Sequence, residues 1–428
     1  MTAKPSVSSW RSYVSFLKNN SQFRRFWIAG VISQFGNWFN YIAVFVLLQY
    51  LTGSGQAVSW FLIAKFIPST VLGPAAGVVA DRVSRKKMMI TCDLLRVGIV
   101  LCFLLVRSSE YVWVVYVLAL LQESLWTFAN PARQASVPNL CAREEINLAN
   151  ALSGATWSLL LAFGASIGGL VTALAGWEAA IIIDAATFVV SAVVLSSLDL
   201  PHKRSAKTGR RLSWRELTGI TDMQKGWRYI VGHRKVFALI LVKSGWALSG
   251  GILVMLVVFG EQVFSSGASG SGSGVLYGCR GLGAAIGPIL AWRILGEESP
   301  AMMKGIAASF FVSAGAYLIF SQTPNLWVAA PFVLLGHIGG ATQWVFSTAL
   351  LHRTVEDAYR GRVFAAEMAL VTLGLSVSSY CTGFALDWGV NPRHVVMALA
   401  GMFLIPGCFW VTFLRKRRRA EVKVKGEG

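Results

Sequence analysis

Ionisable side chains interrupt the long apolar stretches of this sequence, where charge is expensive. An ionisable group near the centre of a bilayer costs roughly 2.5 to 3.5 kcal/mol, so it is normally paired, hydrated by a cavity or used in function. Proton exchange and binding of charged solutes are the two kinds of chemistry that such groups perform. The residues are Lys65, Asp93, Arg96, Glu123, Asp184, Lys243, Arg280, His337 and Glu367.

Glu123 is the first candidate for proton exchange. It lies deep in an apolar stretch, beside Gln122 and before Pro131, whose missing N–H leaves one backbone carbonyl without its helical donor. A carboxylate in these surroundings could exchange a proton against a cation. The alternative interpretation is a structural salt bridge to Lys65 or Arg96.

Glu367 and His337 are the other proton-coupling candidates. Glu367 and Lys243 lie at similar depth in the second half of the chain, which favours an ion pair between them. If Lys243 instead faces a cavity, the substrate carries an anionic group. His337 titrates near neutral pH in water, but a lone histidine on a glycine-rich helix is more often packed and neutral.

Asp93 and Arg96 are three residues apart, which places them on one face of a helix and predicts a structural pair. Asp184 and Arg280 lie about two turns from the outer surface, where water can reach them, and either could instead be structural. Aromatic walls with few charges suit an amphipathic or hydrophobic solute. The residues proposed to line a substrate cavity are Gln34, Asn37, Asn40, Lys65, Gln122, Trp126, Lys243, Trp246, Arg280 and Gln343.

Twelve long apolar stretches carry these residues. Of 428 residues, 55% are hydrophobic and 14% charged, which is more apolar surface than one water-soluble domain can bury. Because about 20 apolar helical residues cross a core of roughly 30 Å, the pattern predicts an all-α membrane protein with twelve transmembrane helices in two pseudo-symmetric six-helix halves. The predicted spans are residues 25–51, 57–80, 88–107, 111–131, 148–174, 177–197, 236–260, 272–294, 302–321, 325–350, 362–386 and 393–414.

Lys and Arg residues are concentrated on one side of these spans. Of the 39, 33 lie in the tails and in alternate loops, while the short loops of the other side keep only Arg107 and Arg393. The positive-inside rule therefore places both termini in the cytoplasm of a bacterial inner membrane. Because the charge of +19 is dispersed in this way, it excludes nucleic acid as a partner and points to membrane lipids.

The longest polar stretch divides the chain into two sets of six spans. Within it, residues 214–230 alternate apolar and charged side chains, which predicts an amphipathic helix at the membrane interface. The predicted units are an N-terminal tail at 1–24, a helical bundle at 25–197, a basic linker at 198–235, a second bundle at 236–414 and a C-terminal tail at 415–428.

No residue pattern indicates a cofactor, a metal site or an enzyme. The six cysteines stand singly without the C-x-x-C spacing of zinc sites, and we expect no disulfides. The sequence has no G-x-x-x-x-G-K-[ST] nucleotide loop and no grouping of His, Ser or Cys with a carboxylate for catalysis. The expected partners are a small-molecule substrate and protons, and the expected state is a monomer.

Glycines, one acid and four cations follow each other at fixed spacing across residues 73–87. The spacing of Gly73 and Gly77 predicts close approach of a neighbouring helix. The segment matches the G-x-x-x-D-R-x-x-R-[KR] signature of the major facilitator superfamily of transporters, which the chain resembles over nearly its whole length. The matched positions are Gly77, Asp81, Arg82, Arg85 and Lys86.

Shorter motifs resemble the bacterial branch that includes enterobactin and macrolide exporters. They lie at residues 130–138, 149–151, 164–169 and 361–363. The resemblance implies export of small molecules by proton antiport, with a latch of Asp81, Arg82 and Arg85 that closes the cytoplasmic side against residues 360–362. Members of this branch often carry an acid in the first span, where this chain has Asn37, so that protonatable group is missing.

Small residues recur at four-residue spacing on four spans, which lets helices pack closely in lipid. In the superfamily, three of these spans line the seam between the halves, and rocking at that seam gives alternating access. The pairs are Gly73 and Gly77, Gly164 and Gly168, Gly283 and Gly287, and Gly336 and Gly340.

Together these observations predict a secondary transporter that exports a small amphipathic molecule by proton antiport and alternating access. Two alternatives of the same class are a lipid or lysolipid carrier and an uncoupled facilitator of an anionic metabolite. The cations Lys65, Lys243 and Arg280 would favour them. A membrane receptor or scaffold without transport is the alternative from another class.

Overall fold

The structure is a computed structural model that describes residues 10–200, 220–264, 267–296 and 298–426. Within these ranges the chain is almost entirely helical and has no strand. The helices are α1 Trp10–Asn19, α2 Ser21–Thr52, α3 Gly55–Arg82, α4 Arg85–Cys102, α5 Val112–Leu140, α6 Ile146–Ser196, α7 Ile220–Gly232, α8 Arg234–Ala247, α9 Ile252–Val258, α10 Ser271–Leu295, α11 Ser299–Gln322, α12 Leu326–Thr354, α13 Asp357–Asp387, α14 Pro392–Met402 and α15 Leu404–Gly426.

Eleven helical segments of the described ranges are long and apolar enough to cross a membrane. The longest, α6, has 51 residues. A straight helix of that length would measure about 77 Å, more than twice the roughly 30 Å of a hydrocarbon core. Gly176 interrupts it with a φ of 85°, a conformation that glycine adopts without strain.

Contacts with α2 indicate that α6 folds back at Gly176. A Cβ atom on Gly36 would lie 2.6 Å from Oδ1 of Asp184, and one on Gly168 would lie 3.0 Å from the carbonyl oxygen of Trp38. Adjacent turns of α2 therefore contact two points of α6 that a straight helix would separate by about 24 Å. Because α6 crosses twice, the eleven segments make twelve crossings, as the sequence predicts.

The seventh crossing is interrupted between α8 and α9, and a hydroxyl group compensates. Ser378 Oγ of α13 accepts from the N–H of Gly251 at 2.9 Å and donates to the carbonyl of Leu248 at 2.7 Å. A break at membrane depth is tolerated when its backbone groups find partners in the protein.

Several predicted boundaries change. The fourth span was predicted to end at residue 131, but α5 continues through Pro131 to Leu140, since prolines are tolerated inside transmembrane helices. The predicted N-terminal tail contains α1, and residues 220–230 of the predicted interfacial helix belong to α7. Residues 214–219 lie outside the described ranges. The division into tails, bundles and linker remains a prediction.

We call the end of the molecule with the loops at 83–84, 141–145 and 355–356 the basic end, and the end with the loops at 53–54 and 388–391 the opposite end. The halves, residues 21–200 and 234–416, meet at the opposite end. There Gly169 and Gly274 bring α6 and α10 into backbone contact, because a Cβ atom on Gly274 would lie 2.8 Å from Cα of Gly169.

A carboxylate strengthens this contact between the halves. Asp387, the last residue of α13, accepts hydrogen bonds from the N–H groups of Gly55 at 2.9 Å and Gln56 at 3.3 Å, and from the hydroxyl of Ser54. An anion at a helix N-terminus is stabilised by the free N–H groups and the helix dipole. Asp387 therefore caps α3 of the other half.

Toward the basic end the halves part. Gly73 and Gly77 on α3, Gly154 on α6 and Gly361 on α13 each have open space where a side chain would begin. The close helix approach predicted at Gly73 and Gly77 is therefore absent in this conformation. The other three glycine pairs pack against neighbours as predicted; Gly287, for example, leaves only 2.6 Å between an added Cβ and the carbonyl oxygen of Ile338.

We expect Asp387→Asn to loosen the contact at the opposite end, because an amide gives weaker hydrogen bonds than a carboxylate at a helix N-terminus. A loss of about 1 kcal/mol would raise the open fraction at this end roughly fivefold. Tyr50 and Trp327 are strongly exposed and lie in different halves. Spin labels at these two positions report the opening as a longer label-to-label distance in double electron–electron resonance.

Asp357→Asn is the matched control, since Asp357 starts the same helix at the basic end and pairs with Arg360. An unchanged distance distribution in Asp387→Asn would remove Asp387 from the closure.

Candidate functional site

A cavity of about 600 Å³ lies within the first half, toward the basic end. Helices α2, α5 and α6 form its walls, which combine aromatic rings, amides, hydroxyls and one guanidinium group. Among the described residues, the lining includes no carboxylate. The residues are Phe23, Phe26, Trp27, Gly30, Val31, Gln34, Trp126, Asn130, Arg133, Gln134, Val137, Asn150, Ser153, Thr156 and Trp157.

Arg133 reaches the cavity because α5 continues past Pro131. The fourth span was predicted to end at residue 131, which left Arg133 outside it, and that boundary was wrong. Its guanidinium carbon lies 5.3 Å from the ring centroid of Phe26, and its Nη1 occupies the space that a side chain at residue 30 would need. Gly30 thus gives the guanidinium room beside α2.

Lys65 and Glu123 form an ion pair of 3.4 Å between α3 and α5. The structural alternative for Glu123 is therefore realised in this conformation. The two side chains are 11% and 18% exposed, so the pair is partly buried and not fully enclosed. Lys65 Nζ lies 5.7 Å from the ring centroid of Tyr41. Glu123 shares a helix face with Trp126 of the cavity and lies about one turn farther from the basic end.

Asp93 and Arg96 pair as predicted, at 3.9 Å, and both are buried. Their further partners come from other helices: Ser191 Oγ donates to Asp93 Oδ2 at 2.7 Å, and Arg96 Nη2 donates to Asn37 Oδ1 at 2.7 Å. The guanidinium also lies 4.1 Å from the ring centroid of Phe188. This network connects α4 to α2 and α6, and it binds Asn37, which was proposed to face the substrate.

Lys243 and Glu367 form the predicted ion pair, with 2.8 Å between Nζ and Oε2. The side chains are 3% and 0% exposed, so Lys243 does not face a cavity here. His337 is packed, as the more ordinary interpretation held, and its Nδ1 shares a short hydrogen bond with the hydroxyl of Tyr317. These contacts describe structural roles for Glu367 and His337 in this conformation, and their part in proton coupling remains a prediction.

Four polar residues differ from the sequence expectation. Asn40, Gln122 and Gln343 are fully buried, and their amide groups have no hydrogen-bond partner among the described residues. They lie on packed helix faces and do not reach the cavity. Asp184 was placed where water can reach it, but it is fully buried beside Gly36.

Gln34 and Trp126 are the predicted cavity residues that line the cavity described here. Arg280 is half-buried at the seam, with its guanidinium carbon 5.5 Å from the ring centroid of Tyr277. Trp246 packs against Gly340.

Two cations of the segment that carries the predicted latch bind carbonyl groups of the first half, and the latch itself remains a prediction. Arg85 Nη1 donates to the carbonyl of Ala135 at 2.6 Å, and Lys86 Nζ donates to the carbonyl of Leu198 at 2.7 Å, both within the first half. Cations near the ends of helices stabilise the terminal carbonyls. The side chain of Asp81 lies outside the described part of the chain, and Arg82 is exposed.

Sequence reasoning missed several cavity residues, among them Trp27, Arg133, Asn150 and Trp157. The polar residues of the motifs at 130–138 and 149–151 could have indicated the cavity. These motifs were used only as a resemblance to a transporter family. Extending α5 and α6 through these motifs at 3.6 residues per turn would have placed their polar faces opposite α2.

Comparisons with known proteins agree with this architecture. The family description Major Facilitator Superfamily matches residues 26–336. The chain is 25% identical over 406 residues to "Macrolide efflux protein A" of Streptococcus pyogenes, covering 92% of this chain and 97% of that protein. It is 24% identical over 388 residues to "Putative bacilysin exporter BacE" of Bacillus subtilis, covering 91% and 94%.

Among solved structures, a bacterial homolog of the human lysosomal transporter Spinster, inward-facing and occupied, is similar with a TM-score of 0.70. It is 13% identical and covers 97% of this chain and 98% of that one, a likeness that shows the fold alone. Twelve crossings in two halves and the match over residues 26–336 lead to one conclusion. The chain belongs to the Major Facilitator Superfamily of membrane transporters, as the signature at residues 73–87 predicts.

Proposed function

We propose that this transporter exports a small amphipathic molecule in exchange for protons, by alternating access. The observation that supports this proposal most is the partly exposed Lys65–Glu123 pair, one helical turn beyond Trp126 of the cavity. The names of the relatives, a macrolide efflux protein and a putative bacilysin exporter, support export as the direction. We place the basic end in the cytoplasm of a bacterial inner membrane, following the positive-inside rule.

Glu123 is the proposed proton carrier, and Lys65 is its partner in the deprotonated state. A proton on Glu123 would remove the charge that holds Lys65, and its departure would restore the pair seen here at 3.4 Å. Such a switch changes the charge and the packing between α3 and α5. If the substrate binds more tightly when Glu123 is deprotonated and paired with Lys65, substrate binding and proton binding are coupled.

Rocking of the halves would carry the site from one side to the other. The structure is closed at the opposite end by Asp387 and the Gly169–Gly274 contact, and it is open toward the basic end. We propose that the segment at residues 77–87 engages α13 when the halves close at the basic end. This would be the state in which the predicted latch acts.

We expect the purified wild-type protein in weak buffer to release protons when a candidate amphipathic solute is added. Glu123→Gln should bind the solute and release none, because the glutamine carries no titrating proton. The pH change on mixing measures this directly. Glu178→Gln is the matched control, since Glu178 pairs with Arg107 in an exposed salt bridge. Solute binding without proton release in the wild type would contradict antiport.

An uncoupled carrier of an anionic molecule is the second candidate, favoured by Arg133 in a lining whose described residues include no carboxylate. An anion leaves a cell that is negative inside with about 2.3 kcal/mol of electrical driving force per 100 mV. It therefore needs no proton for export. The proton-release experiment separates the two candidates.

A further inference from the structure

We propose that Arg133 is the subsite for an anionic group of the transported molecule, so that the substrate class is aromatic or apolar carboxylates and similar organic anions. This inference rests on the proposed transport function, in its coupled or its uncoupled form. It concerns recognition at equilibrium, and it can therefore be tested without transport or proton movement.

The guanidinium group of Arg133 is held in place but not neutralised. It lies over the ring of Phe26 and against Gly30, and its Nε has no hydrogen-bond partner. Within the described ranges, no carboxylate lies at ion-pair distance from it. A cation at membrane depth is expensive when it is unpaired, so an anion that enters the cavity gains the interaction that the protein leaves open.

The carboxylate that acts on Arg133 has other partners. Asp93 acts on both Arg133 and Arg96 electrostatically, but its carboxylate is already engaged by Arg96 and by Ser191. Arg96 has two further carboxylates near it, Asp184 and Glu123, whereas Asp93 is the one carboxylate among the described residues that acts on Arg133. The guanidinium group of Arg133 therefore keeps the capacity to bind a ligand that carries a negative charge.

The remaining walls fit the body of such a ligand. Trp27, Trp126 and Trp157 offer aromatic surface, and Gln34 and Asn130 offer amide donors near the cation. Arginine binds carboxylates through two parallel N–H···O bonds, which fixes the orientation of the ligand as well as its charge. Since the lining residues that the structure describes include no acid, a cationic ligand finds no counter-charge among them.

Three compounds with one body and different charge test this preference: 4-phenylbutyrate, 4-phenylbutanol and 4-phenylbutylamine. We expect equilibrium dialysis against the protein in lipid nanodiscs, with empty nanodiscs subtracted, to give at least tenfold tighter binding of the carboxylate than of the alcohol. The amine should bind more weakly than the alcohol. In Arg133→Gln the carboxylate and the alcohol should bind alike.

Arg133→Lys keeps the charge and should retain part of the preference, which protects the test against a variant that is merely misfolded. Arg107→Gln, at an exposed pair near the opposite end, should bind all three compounds as the wild type does. Wild-type binding that does not prefer the carboxylate, or a preference that survives in Arg133→Gln, overturns the proposal. Because no proton is measured, failure of antiport leaves these outcomes unaffected.

Discussion

Lys243→Met should unfold at a much lower temperature than the wild type, with a loss of roughly 3–5 kcal/mol in the free energy of unfolding. The substitution removes the cation that binds Glu367 at 2.8 Å. Glu367 is completely buried, and its second oxygen has no partner even in the wild type. An uncompensated buried carboxylate is therefore left between α8 and α13. Thermal unfolding in detergent, followed by tryptophan fluorescence, measures the effect.

The double variant Lys243→Met/Glu367→Met tests whether the unpaired carboxylate causes this loss of stability. Replacing both partners of a buried ion pair by apolar side chains is often neutral, so stability should return close to that of the wild type. Arg107→Met breaks the exposed pair with Glu178 and should cost about 1 kcal/mol or less. If Lys243→Met is no worse than Arg107→Met, the buried pair does not stabilise this fold.

Sequence patterns predicted the twelve crossings and two of the ion pairs. Apolar stretches and the charges within them can be identified from local sequence. Lys243 and Glu367 could be paired from depth alone, since two opposite charges in the membrane interior lower each other's cost. Asp93 and Arg96 followed from helical spacing. The break of α6 at Gly176 was predicted as a loop between two spans, although it adds only one non-helical residue.

Rotation of each helix about its axis could not be predicted in the same way. Asn40 and Gln343 are polar residues on transmembrane helices, and nothing in their local sequence says that they lie on packed faces. Arg133 was misplaced because Pro131 resembled a helix end, whereas a neighbouring helix can satisfy the carbonyl that proline frees. Whether a neighbouring helix packs against Gly73 and Gly77 depends on the conformational state, which a single sequence does not specify.

Gly274→Leu should lower the transport rate at least a hundredfold without unfolding the protein. A Cβ atom at this position would lie 2.8 Å from Cα of Gly169 and 3.3 Å from the carbonyl oxygen of Ala165. Both neighbours are backbone atoms of α6 and cannot move away independently. Since the clash exists only when the halves touch at the opposite end, the variant should be held open there. Spin labels at Tyr50 and Trp327 should then report a single long distance.

Gly315→Leu separates this steric effect from the general cost of changing a transmembrane glycine. Gly315 is on α11, away from the seam, and has open space where a side chain would begin. It should keep the wild-type distance distribution and transport rate. Closure of Gly274→Leu to the wild-type distance would mean that α6 and α10 tolerate separation without opening the seam. The backbone contact would then not control access, and the hydrogen bonds of Asp387 and Gln262 to the other half would be left to hold that end closed.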